Sequence, residues 1–174
     1  EANGRSLLSV LLGRIKSEFK DEIMKSHVLI SIVTSDEVMN RDLERFRDRE
    51  IQIFYGSIDN IPLRHLQAAE YFGLDNIVSV DGDDILCSTA TMRKVMTHLK
   101  QGEVMAISKD LPLGMNVCGY RKSFLEESLK SYTGKSLETG WRRIFEEERV
   151  IDISENEMQR DLRLRFTLDY EDDY

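Results

Sequence analysis

Residues 76–86 read NIVSVDGDDIL, an apolar run up to Val80 followed at once by aspartates at 81, 83 and 84 around Gly82. The branched residues Ile77, Val78 and Val80 suit a buried strand, and Asp-Gly-Asp-Asp suits a turn. Negative charge is therefore concentrated where a core strand leaves the interior. In open α/β sheets ligands gather outside the carboxyl ends of strands, because loops converge there and helix amino-termini point at the crevice.

Strand and helix patterns alternate on both sides of this stretch. From Gly4 to Phe19, apolar residues at Leu8, Leu11, Leu12, Ile15 and Phe19 recur at helical spacing. HVLISIV (27–33) reads as a buried strand. Behind TSDE, where Ser35 or Asp36 can cap, Met39, Leu43 and Phe46 predict a helix ending near Arg49. IQIF (51–54) is a short strand, and GSIDN with Pro62 opens a helix that Gly73 stops. After NIVSV, Ser88 can cap a helix closed by Gly102, and VMAIS (104–108) follows as a strand. This alternation predicts an α/β fold with a mostly parallel, Rossmann-like central sheet and helices on both faces.

Beyond Ser108 the regularity breaks. DLPLGMN is a loop, VCGY a short strand and KSFLEESLKSY a helix. SLETGWRRIFEEE is expected as a further helix with Leu137, Trp141, Ile144 and Phe145 on one side, whether for a dimer surface or the core, and RVIDI as a strand. ENEMQRD reads as solvated. LRLRFTLD (162–169) alternates Leu162, Leu164, Phe166 and Leu168 with Arg163, Arg165, Thr167 and Asp169, the period of a strand with one buried face.

The 174 residues fit a single domain of ordinary size. A net charge of -8, with no Lys/Arg block, argues against nucleic acid or an anionic membrane as partner. The longest apolar run, VLISIV, is far below the roughly 18–20 residues that span a bilayer, and no signal architecture opens the sequence. Cys87 and Cys118 lack metal-type spacing and read as reduced thiols, so the expected location is the cytoplasm.

Asp83 lies just past the end of one strand and Asp169 at the end of another; if the two run parallel, both carboxylates emerge on one sheet edge. Converging carboxylates repel unless a cation joins them. Magnesium suits that role, since one or two protein carboxylates hold it while water and phosphate complete its shell. Gly82 would let the chain turn sharply and a ligand approach the backbone. The same four residues are also ordinary turn chemistry. A calcium loop fits worse, because position twelve counted from Asp81 is Met92 where a bidentate Glu is required. His27, His65 and His98 have no ligand spacing, and of these His65 is the candidate to face a cleft.

GSIDNIPLRHLQAAEYFGLDNIVSVDGDDIL (56–86) resembles the cytidylyltransferase family that includes the spore-coat polysaccharide proteins and the CMP-Kdo synthetases. RSLLSVLLGRIK is similar to that family's first helix and TSDE to the end of its second strand. LPLGMNVCGYRKSFLEES resembles its P-x-G-x-x-V stretch, and RFTLDYEDDY its closing L-T-x-D-x-x-E-D-x. The resemblance implies a nucleotide-diphospho-sugar transferase fold, with 1–108 as its nucleotide-binding half, 109–161 as a sugar-binding and dimerisation region, and 162–174 as the return strand. It implies Asp83 and Asp169 as catalytic magnesium ligands, Gly56, Ser57, Arg64 and Gly82 along the nucleotide, and Asp84 and Gly114 toward the sugar. The implied reaction joins CTP to an acidic sugar for surface polysaccharide, releasing pyrophosphate, in a homodimer.

The family opens with a buried strand and a basic loop, R-x-x-S-x-R-x-P-x-K, around the triphosphate, which residues from Glu1 onward do not supply; the expectation is a sequence trimmed at its front. Two other functions fit the residues. One is a metal-dependent glycosyltransferase using Asp81-Gly82-Asp83, and the other a non-catalytic binding or scaffold module.

Overall fold

In the computed structural model, which describes residues 6–134, 136–154 and 164–167, the chain runs through α1 (Leu7–Glu18), α2 (Lys20–Met24), β1 (Ile30–Ser35), a 3-10 helix (Val38–Phe46), β2 (Ile51–Gly56), α3 (Ile61–Phe72), β3 (Asn76–Ser79), α4 (Thr89–Gln101), β4 (Met105–Ser108), β5 (Cys118–Arg121), α5 (Lys122–Ser131), two short 3-10 turns (Trp141–Ile144, Glu147–Arg149) and β6 (Val150–Ile153). The caps expected for the two central helices are formed. Asn60 accepts from Leu63 N–H ahead of Pro62, and Gly73 closes α3 in the left-handed region at φ 67°. Ser88 accepts from Thr91 N–H, and Gly102 closes α4 at φ 117°. Among the described residues no helix is long and apolar enough to cross a membrane.

Two compact units divide the chain. One comprises Glu1–Lys20, Val78–Gly119 and Val150–Tyr174. Its core joins Leu11 and Leu12 of α1 to Met92, Val95 and Leu99 of α4 and Met105 and Ala106 of β4, all buried. Strands β4 and β6 pair in parallel, Met105 opposite Val150 and Ser108 opposite Ile153. The other unit, Asp21–Ile77 and Tyr120–Arg149, packs α3 against β1, β2 and α5. Strands β1 and β2 are parallel with Ile30 opposite Ile51 and Ser35 opposite Gly56, so their carboxyl ends are level. Tyr120, Phe124, Trp141 and Phe145 form a chain of ring contacts there, with centroids 5.2–6.1 Å apart.

The α/β class stands, but the sheet is not one parallel stack. β1–β2 is a two-stranded sheet, and a mixed four-stranded sheet has the order β3-β5-β4-β6. Residues 109–117 between β4 and β5 fall short of the dozen or so that a parallel crossover requires, which accounts for the mixed sheet.

Several expected elements differ. The segment after TSDE is a 3-10 helix, not an α-helix. Neither Ser35 nor Asp36 caps it: its N-cap is Glu37, with no side-chain cap bond. Val38 and Met39 are 90% and 77% exposed, so no apolar stripe buries the segment and holds it in regular α geometry. β1 starts at Ile30 rather than residue 27, because α2 and the turn after it occupy 20–28. Gly140, at φ 57°, interrupts the helix expected over 136–148, and Leu137 pairs in parallel with Asn60 instead; Leu137, Trp141 and Phe145 nevertheless all reach the core. In place of the alternating strand expected at 162–169, residues 164–167 make one isolated parallel bridge, Arg165 to Leu113. Leu164 is exposed and Thr167 buried, the reverse of the expected faces, because Thr167 lies against Gly114. ENEMQRD, Leu162, Leu168 and Asp169 lie outside the described residues.

Candidate functional site

The Asp-Gly-Asp-Asp segment forms two consecutive tight turns past the end of β3. Asp84 N–H donates to the Asp81 carbonyl at 3.1 Å, Ile85 N–H to Asp83 at 3.0 Å and Cys87 N–H to Asp84 at 2.9 Å. Asp83 is exposed, and its carboxylate has no hydrogen bond or ion pair among the described residues; Asp84 is half-buried. Gly82 takes no positive φ, and a Cβ added there would meet nothing within 4 Å. The turn itself therefore makes no demand for glycine, although the open space leaves its backbone approachable.

Two neighbouring segments hold this turn within its unit. Arg14 of α1 reaches across with both guanidinium nitrogens, donating to the Ile85 carbonyl at 2.5 Å and the Cys87 carbonyl at 2.9 Å. Ser88 N–H donates to the Met115 carbonyl at 3.0 Å, tying the turn to the loop that follows β4. That loop is bound in turn to residues 164–167, for Phe166 N–H donates to Leu113 at 2.8 Å. Gly114, at φ 89°, is the point of closest approach: a Cβ there would stand 2.5 Å from the Phe166 carbonyl carbon. The structure thus supplies a packing reason for Gly114, a residue the sequence associates with the sugar.

In the other unit, the level ends of β1 and β2 carry a second group of expected residues. Asp36 N–H donates to the Gly56 carbonyl at 3.0 Å, the Ser35 hydroxyl to Glu37 Oε2 at 2.7 Å, and Asn40 Nδ2 to Ser35 Oγ at 2.7 Å. Gly56 has no room for a Cβ, which would fall 2.8 Å from Gln67 Oε1 and 2.9 Å from Arg64 Cγ. Among the described residues Arg64 does not make the surface ion pair that an exposed helical arginine would; it donates from Nε to the Ser57 carbonyl at 2.7 Å and from Nη2 to Ile58 at 3.0 Å. Burial holds its guanidinium below the ordinary arginine pKa, against the opposing charges of Glu138 and Glu37. Ser57 N–H donates to Gln67 Oε1 at 3.0 Å, so Arg64 and Gln67, one turn apart on α3, clamp the loop between them.

His65 is turned toward the aromatic core. Its Nδ1 lies 2.5 Å from the Tyr120 hydroxyl and its ring is edge-on to Trp141 at 5.6 Å. Burial, with a smaller contribution from Arg64, pushes its pKa down to about 4, so it is neutral near pH 7. Cys87 and Cys118 are buried and not joined in a disulfide, and burial pushes the Cys87 thiol up to about 11.

Among the described residues no cluster of three His, Cys, Asp or Glu side chains is arranged to hold a metal. The donor chemistry at Asp83 still fits a hard cation, since the residue is exposed with no partner for its carboxylate among the described residues, and magnesium takes as few as one protein carboxylate. The roles of Arg14 and Gln67 went unread in the sequence. Their available signals were a cation three residues after Leu11 on α1 and an amide three residues after Arg64.

No protein-family model matches the chain, and no curated protein matches it in sequence. Solved structures do match. A cytidylyltransferase from Leptospira borgpetersenii superposes with a TM-score of 0.81 at 20% identity, over 99% of this chain and 74% of that one. A 4-diphosphocytidyl-2C-methyl-D-erythritol synthase from Anaerococcus prevotii does so with a TM-score of 0.62 at 17% identity, over 99% of this chain and 84% of that one. The chain shares the fold of these proteins.

Proposed function

We propose that this chain is a sugar nucleotidyltransferase that couples CTP to an acidic sugar, giving a CMP-sugar and pyrophosphate. The observation that carries the reading is Asp83, an exposed carboxylate with no partner among the described residues, on a hydrogen-bonded turn past a strand end, in a fold shared with a cytidylyltransferase. The anomeric hydroxyl oxygen of the sugar attacks the α-phosphorus, the bond from that phosphorus to the bridging oxygen breaks, and the hydroxyl proton passes to solvent. Asp83, with Asp169, would hold magnesium; when bound, the ion neutralises charge on the departing pyrophosphate.

The chain's own residues supply positioning. The Gly56–Asn60 loop, clamped by Arg64 and Gln67, presents a fixed backbone for the nucleotide. Gly82 leaves backbone open to a phosphate. Asp84 is assigned to the sugar. Surface polysaccharide synthesis, a homodimeric state and a cytoplasmic location belong to the same proposal.

Pyrophosphate release by the full chain, measured with CTP, magnesium and a panel of acidic sugars, tests it. Asp83→Ala is expected to abolish magnesium-dependent turnover while leaving the melting temperature unchanged. Normal turnover in that variant would refute the metal assignment.

A further inference from the structure

We infer that Arg14 is a positioning residue for Asp83, an inference that rests on the nucleotidyltransferase reading. The turns of the Asp81–Cys87 segment are closed by three backbone hydrogen bonds, each modest in net strength, and Asp83 itself is exposed. Arg14 adds what they lack. Its guanidinium bridges the carbonyls of Ile85 and Cys87, with one residue between them, and fixes both to a helix whose Leu11 and Leu12 are buried in the core. The planar fork is the group suited to two acceptors at once, and a lysine ammonium in its place is a point charge without that geometry.

The contact is built for the loop rather than for surface charge. No carboxylate is hydrogen-bonded to Arg14 in the described residues; its partners there are the two carbonyls and the Cys87 side chain. Beyond Cys87 the segment runs directly into Ser88, the N-cap of α4, whose N–H is bonded to Met115. The segment that follows Asp83 is thus held by α1, α4 and the loop after β4, and removing Arg14 releases the hold nearest the carboxylate.

The test uses the full chain and compares wild type, Arg14→Ala, Arg14→Lys and Asp83→Ala. In Arg14→Ala, amide hydrogen exchange at Ile85 and Cys87 is expected to quicken about tenfold or more, the loss of a charge-assisted hydrogen bond. The magnesium concentration for half-maximal turnover should rise about 10–100-fold, as when an outer-shell partner of a metal ligand is lost. Arg14→Lys should fall between, and should be the variant read if Arg14→Ala does not fold. Millimolar guanidinium should partly restore the magnesium response of Arg14→Ala.

A merely structural role would lower the melting temperature and leave the magnesium response in place. That result, or unchanged exchange at Ile85 and Cys87, overturns the inference. If Arg14→Ala keeps the wild-type magnesium response while Asp83→Ala loses turnover, the positioning role fails and the enzyme reading stands. If wild type itself releases no pyrophosphate from CTP, the enzyme reading fails and the positioning role falls with it.

Discussion

Replacing Gly114 by alanine should destabilise the protein, whereas the same change at Gly82 should not. At Gly114 two costs add. An L-residue in the left-handed region, here φ 89°, costs about 1–2 kcal/mol. The new Cβ would also lie 2.5 Å from the Phe166 carbonyl carbon and 2.7 Å from Thr167 N, so backbone must move. Overpacking of that kind costs about 1–3 kcal/mol, for a sum of about 2–5 kcal/mol. In a chain of this size about 3 kcal/mol corresponds to a fall in Tm of about 6–12 °C. At Gly82 neither cost applies, and the change should stay within about 0.5 kcal/mol. Urea titration and thermal unfolding of both variants provide the assay. A Gly114→Ala protein within about 0.5 kcal/mol of wild type would refute the packing argument. The pair also separates packing from binding: in the proposed function Gly82→Ala weakens CTP binding at unchanged stability, which calorimetry reads directly.

The His65 pKa makes stability depend on pH. Its folded value, about 4, lies below the unfolded value of 6.5, so the unfolded state binds the proton first; the stability is complete above pH 6.5 and falls as pH drops toward 4. The loss from this group between pH 7 and pH 5 is about 2 kcal/mol, read as the difference in urea midpoints, and His65→Gln should flatten that slope. A wild-type slope unchanged in His65→Gln would show that its burial against Tyr120 and Trp141 is not the cause. Cys87 and Cys118, both buried, should resist a thiol reagent at pH 8 until the protein unfolds; rapid labelling of the native protein would contradict their placement. Gly56→Ala should displace Arg64 and Gln67 and cost about 1–3 kcal/mol, seen as a lower urea midpoint.

Much of the fold was legible because its signals act within one turn of chain. Asn60, Pro62 and Gly73 bracket α3, and Ser88 and Gly102 bracket α4, each through a bond to a backbone group a few residues away. Apolar runs marked β1, β2, β3 and β4, and the aspartates marked the turn after β3. The same local signals misread 38–46 and 136–148. A periodicity of three to four does not distinguish an α-helix from a 3-10 segment whose apolar residues, Val38 and Met39, face outward. Nor does it foresee Gly140 turning left-handed while Leu137 pairs with Asn60.

By itself, then, the sequence determined the α/β class, the helix boundaries at α3 and α4, and the carboxylates past β3. Tertiary structure decided the rest. It gave Gly114 its reason in the backbone of Phe166, Arg64 its partners in Ser57 and Ile58, and Arg14 its hold on Ile85 and Cys87. For Gly114 and Arg14 the partners are separated by tens of residues along the chain. No local propensity encodes such a contact, because the energy that selects it exists only once packing has brought the segments together.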